Sequence, residues 1–91
     1  MEGNKEIGIL KGNFSALKKV FLDNKLPKRD LDDLKSFIDV DDFDLNSRRF
    51  GKKVSNWIGK MYKKALDGSW ETDKAAAPGL LAQTIANYYG F

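Results

Sequence analysis

Asp39, Asp41, Asp42 and Asp44 place four carboxylates within six residues, and oxygen ligands at alternate positions are the raw material of a calcium loop. Counted from Asp42, the order Asp-x-Asp-x-Asn is present. Ser47, however, stands where the sharp turn of such a loop requires glycine, and Lys53 stands where the bidentate glutamate belongs. Counted from Asp39, Phe43 falls on a ligand position. The spacing therefore argues against an EF-hand. It reads instead as a solvated connector whose negative charge suits the start of the basic helix that follows. As acids or bases the four aspartates lack a lysine or histidine held against them at a defined spacing, and clustering alone is not a catalytic constellation.

The other chemistry-bearing residues are cations. Arg49, Lys52, Lys53, Lys60, Lys63 and Lys64 lie largely to one side of a stretch whose other side carries Phe50, Val54, Trp57, Ile58, Met61 and Ala65 at i, i+3, i+4, i+7 spacing. Lysines along a helix suit phosphates, and Asn56 among them has the donor and acceptor to read a base edge. The same lysines suit an acidic protein surface. The chain carries a net charge of +3, divided unevenly: residues 1–46 hold 8 cations and 10 anions (−2), and residues 47–91 hold 8 and 3 (+5). Attraction between the two halves, or plain solvation, accounts for that asymmetry as readily as an anionic ligand does.

Histidine and cysteine are both absent. Their absence excludes triads, thiol nucleophiles, disulfides and ordinary zinc or copper sites, and no cofactor is implied. The expectation is a non-enzymatic protein. The first ten residues lack an apolar run of signal-peptide length, and no stretch approaches the roughly 20 apolar residues of a membrane span. Stable membrane insertion is not expected, and the expected location is cytoplasmic.

These residues need elements to position them. Ninety-one residues, 42% of them hydrophobic and 12% aromatic, make one ordinary globular domain. Residues 1–12, with three glycines, read as a flexible lead-in to a single helical domain over 13–91. The fold class is all-α, a small bundle of four helices at about 13–24, 28–39, 47–66 and 76–89. Asn13 caps the first, ahead of Phe14, Leu17, Val20 and Phe21 on one face. Pro27 opens the second, with Asp30 in its first turn and Leu26 spaced from Leu31 as a hydrophobic staple. Leu31, Leu34, Phe37 and Ile38 form its apolar face. Ser47 is the expected cap of the third helix and Gly68 its stop. Gly59 in its middle costs about 1 kcal/mol against alanine unless another helix packs over it, and close packing against Ala75, Ala76, Ala77 and Gly79 is the expected reason. In the fourth helix Leu81, Ile85 and Tyr88 align, and Gly90 ends it.

Trp70 follows the third helix and reads as a structural tryptophan folded onto the helix ends, with an exposed binding anchor as the alternative. Phe43, Trp57, Tyr62, Trp70, Tyr88, Tyr89 and Phe91 are many aromatics for so short a chain, and some are expected at the surface. The candidate interaction surface is Arg49, Lys53, Asn56, Lys60, Lys63, Lys64, Trp70 and Tyr89.

The string from Phe50 to Met61 with Ala65, Gly68, Trp70 and the terminal Tyr88-Tyr89-Gly90-Phe91 resembles a helical region of AbiTii-type bacterial abortive-infection proteins. The likeness covers about residues 12–91, and its distinctive parts are Gly-Lys-x-Val-x-x-Trp-Ile-Gly-Lys-Met and the aromatic tail. It implies phage defence or a prophage-borne protein, with this chain as an accessory helical module. The N-terminal portion typical of the family has no counterpart here. Pro78, Glu71 and Asp73 stand where a run of glycine and alanine is expected, and no catalytic residue is transferred. The functional expectation is a helical module that binds a protein partner or itself. The alternative is nucleic-acid binding through the third helix, which the adjacent acidic connector opposes. An interfacial membrane role is a third reading, but it would require the apolar face that the core also needs.

Overall fold

A computed structural model describes residues 11–91. Four helices account for most of it: α1 (Phe14–Asp23), α2 (Lys28–Val40), α3 (Lys52–Asp67) and α4 (Ala77–Tyr89). Each packs on the next, and α4 returns to pack on α1, so the four close into a ring around one core. One end of the bundle gathers Gly12, Asp41, Gly51 and Tyr89; the other gathers Asn24, Asp30, Lys64 and Trp70. Neighbouring helices therefore run antiparallel, as short connections demand. The radius of gyration, 12.6 Å, matches the value of about 12 Å expected for this length.

The apolar spacing of each helix supplies the core. Leu17 and Phe21 of α1, Leu31, Leu34 and Ile38 of α2, Val54, Trp57, Met61 and Ala65 of α3, and Ala77, Leu81, Ile85 and Tyr89 of α4 are all buried. Phe21 and Trp57 meet across the middle with ring centroids 5.9 Å apart. Leu26 and Leu31 are buried together where α1 turns into α2, as the staple spacing predicts. Asn13 caps α1 by accepting the N–H of Ala16 at 3.2 Å.

The lead-in expected over 1–12 lies outside the described residues up to Leu10. Gly12, its last member, donates its N–H to the carbonyl of Tyr88 at 2.9 Å and so joins the start of α1 to the end of α4.

Three local expectations are corrected. The third helix starts at Lys52, not Ser47. The Asp44 side chain accepts the N–H groups of Asn46 and Ser47, Asp44 and Arg49 exchange backbone hydrogen bonds at 2.9 and 3.0 Å, and Arg48 adopts φ +54°. A residue in that left-handed conformation cannot continue a right-handed helix, so α3 waits until the turn has closed. Its 16 residues span about 24 Å.

Gly59 does not pack against α4. It is exposed, and beyond its own turn of helix backbone no heavy atom lies within 4 Å of where its Cβ would stand. Of the small residues expected to cover it, Ala77 is buried in the core and Ala75, Ala76 and Gly79 face solvent. The core face of α3 is already filled by its large side chains, which leaves Gly59 on the far side.

In α4, Tyr89 is buried and Tyr88 only partly so, the reverse of the alignment expected from spacing. Tyr89 is held inward by aromatic neighbours that come from the connector rather than from another helix.

Candidate functional site

Asp41 organises the end of the bundle where α2 stops and α3 begins. α3 has no side-chain cap of its own, because Gly51 occupies its N-cap position. The Asp41 carboxylate fills the role from outside the helix: Oδ2 accepts the N–H of Gly51 at 2.8 Å and Oδ1 accepts that of Val54 at 3.2 Å. Two orphan donors at the positive end of the helix are thereby satisfied by a negative charge. Tyr89 donates its hydroxyl to Asp41 Oδ2 at 3.1 Å, adding the last turn of α4 to the same group. Burial, assisted by the Asp41 charge and hydrogen bond, pushes the Tyr89 phenol above its ordinary range.

Aromatic rings clamp this junction. Phe43 stacks on Tyr89 at 4.3 Å with the planes 11° apart, and Phe50 lies 5.5 Å from Phe91. Of the four clustered aspartates, Asp41 is committed to the helix start and Asp44 to its turn. Hydrogen bonds from Ser47 and from the backbone of Asn46 hold the Asp44 carboxyl below its usual range. Among the described residues no three carboxylates converge on one point that suits a metal ion. An open apolar cleft of about 350 Å³ beside the junction is lined by Ile38, Phe43, Leu45 and Tyr88.

At the opposite end, Asp30 is only 2% exposed and is gripped twice by α3. Trp57 Nε1 donates to its carbonyl at 2.9 Å, and Lys64 Nζ donates to both carboxylate oxygens at 2.8 and 2.9 Å. Trp57 and Lys64 are seven residues, two turns, apart and so share one face of α3. The expectation that Asp30 merely complements a helix dipole is thus too small, since it is a buried ion-pair partner. Trp70 is 1% exposed, with Nε1 donating to the Asn24 carbonyl at 3.0 Å and its backbone N–H to the Lys64 carbonyl at 3.0 Å. Gly68, at φ +88°, makes the turn that brings it there, so the structural reading of Trp70 holds and the exposed-anchor reading is corrected.

Of the residues singled out from sequence, the structure brings together Lys53, Asn56 and Lys60. They line a shallow cleft of about 210 Å³ between α2 and α3 with Phe37 and Trp57. Lys63 is exposed further along α3, and Arg49 belongs to the connector turn. Lys64, Trp70 and Tyr89 are engaged inside the fold, as their partners above show.

Sequence reasoning named the basic side of α3 but did not group an apolar pair with Gly59 on it. At helical spacing from Gly59, Tyr62 and Leu66 follow at i+3 and i+7, and they are 37% and 49% exposed. Lys52 and Lys63, seven residues before and four after Gly59, lie on the same side, with Lys60 further round toward α2, and all three are exposed. Among the described residues the one ion pair within 4 Å is Lys64–Asp30, so none of these three lysines is held by a described carboxylate within that distance. The signal was present in the string: an apolar pair outside the core stripe, beside a glycine that the stripe does not use.

The described residues form an all-α four-helix bundle whose prominent external feature is this basic helix face. No family model matches the sequence, and no curated protein and no solved structure matches it.

Proposed function

We propose that this protein is a non-enzymatic helical interaction module that binds a protein partner through the outer face of α3, in the cytoplasm. The carrying observation is Gly59 with open space above it, flanked along the helix by exposed Tyr62 and Leu66. Exposed apolar residues in line on a face that the core does not use are what a protein partner covers. The resemblance to AbiTii-type proteins adds a setting, phage defence or a prophage-borne role, and rests on the residues that carry it. Co-purification from bacterial lysate, with and without phage infection, tests the reading against Tyr62→Asp with Leu66→Asp. A partner retained by the wild type and lost from the variant is expected. No partner, together with a monomeric mass by light scattering across a concentration series, would sink the proposal.

A second reading, nucleic-acid binding, has one observation of its own: Lys53, Asn56 and Lys60 share a cleft with Trp57. Electrophoretic mobility with random DNA and RNA decides it. Binding that weakens with salt and with Lys60→Glu would favour it, because phosphate contacts release counterions. Unshifted nucleic acid at low salt removes it.

A further inference from the structure

We propose that the occupant of the outer α3 face is an acidic amphipathic helix of another protein, an inference that rests on the interaction reading above and names the partner's chemistry. Gly59 is the starting point. A glycine in the middle of a 16-residue helix is costly, and here nothing inside the molecule requires it. It does not have a positive φ, and no neighbour lies within 4 Å of the missing Cβ. Outside the molecule, a missing Cβ lets a foreign backbone come close.

Tyr62 and Leu66 supply the apolar contact on the same face. Lys52, seven residues before Gly59, and Lys63, four after it, also lie on that face, with Lys60 at its shoulder. These cations have no carboxylate within 4 Å among the described residues, in contrast to Lys64, which the fold consumes internally. The complement is a helix with an apolar ridge and carboxylates along its flanks. Lys52 to Leu66 covers about 21 Å, so the occupant needs roughly 14 residues.

A second copy fits less well. Its own α3 would set lysine against lysine, and of the clustered aspartates Asp41 and Asp44 are engaged within their own chain. A nucleic acid would engage the lysines but leave Tyr62 and Leu66 uncovered.

The test is selection from a display library of random 18-residue peptides against the folded protein. Recovered peptides are expected to be net negative, with apolar residues at helical spacing. Their affinity should fall at least tenfold with Gly59→Leu and with Lys52→Glu plus Lys63→Glu, and should not change with Lys19→Glu on α1. Because Gly59 is helical and open, Gly59→Leu should melt no lower than the wild type, so lost binding cannot be lost folding. No binding peptide, neutral or basic binders, or binders indifferent to Gly59→Leu overturn this inference. The interaction reading falls only if co-purification also finds no partner.

Discussion

Asp41 and Gly51, ten residues apart, meet so closely that the carboxylate of one accepts the N–H of the other at 2.8 Å, while a Cβ on Gly51 would come within 2.6 Å of both the Asp41 side chain and the Asp42 backbone nitrogen. The connector and the start of α3 are therefore fitted to each other. The cap depends on the glycine and the glycine is required by the cap.

Removing the carboxylate should unfasten three elements at once. Asp41→Ala leaves the Gly51 and Val54 donors and the Tyr89 hydroxyl without an acceptor. A lost helix cap costs roughly 1 kcal/mol, and a lost charged hydrogen bond adds about as much or more, so a destabilisation of about 2–3 kcal/mol is expected. Urea unfolding followed by circular dichroism measures it, and a change below half a kcal/mol would contradict the hub.

Gly51 at the N-cap of α3 and Gly59 within the helix should respond in opposite directions. Gly51→Ala forces side chain and backbone apart at the helix start and should destabilise. Gly59→Ala meets open space on a helix and should stabilise by about 0.5–1 kcal/mol. Thermal melts of the pair decide it, and the same sign for both would refute the assignment.

The Asp30–Lys64 pair predicts non-additivity. Lys64→Met leaves Asp30 buried beside apolar neighbours and should cost about 2 kcal/mol, below the usual range for breaking a buried pair because Lys64 is partly solvated. Asp30→Leu combined with Lys64→Met should recover most of that loss. A double-mutant cycle by chemical denaturation provides the measurement, and additive losses would show that the pair is not coupled.

Tyr89 predicts an alkaline limit. Its folded pKa is raised by burial and by Asp41, so the neutral phenol is favoured by folding. That contribution is fully present below the unfolded value of about 10 and is lost as pH rises above it toward the folded value. Stability should drop above about pH 10 more steeply in the wild type than in Tyr89→Phe. Parallel pH profiles for the two proteins would rule this out.

Apolar periodicity made the helices and most of the core legible, because each helix buries one stripe and leaves the rest to polar residues. Asn13, Gly68 and Gly90 marked ends for local steric reasons that a string shows directly. The start of α3 was not legible: it depends on Arg48 turning left-handed and on a carboxylate supplied from ten residues upstream. Nor could the string pair Asp30 with Lys64, which are joined only once α2 lies on α3. The cations on α3 were visible as a group, but sorting Lys64 from Lys63 needed the packed structure, and Gly59 was assigned to the wrong side because a glycine carries no periodicity of its own.

The hydrogen bond from Gly12 to Tyr88 places the entry to α1 and the exit of α4 at one pole of the molecule. A carrier, tag or surface tether attached after Phe91 is thereby anchored at the Asp41 pole, away from the turn that holds Trp70. Such a tether leaves the flank of the cylinder that carries Gly59 facing outward, like a label on the side of a bottle held by its neck.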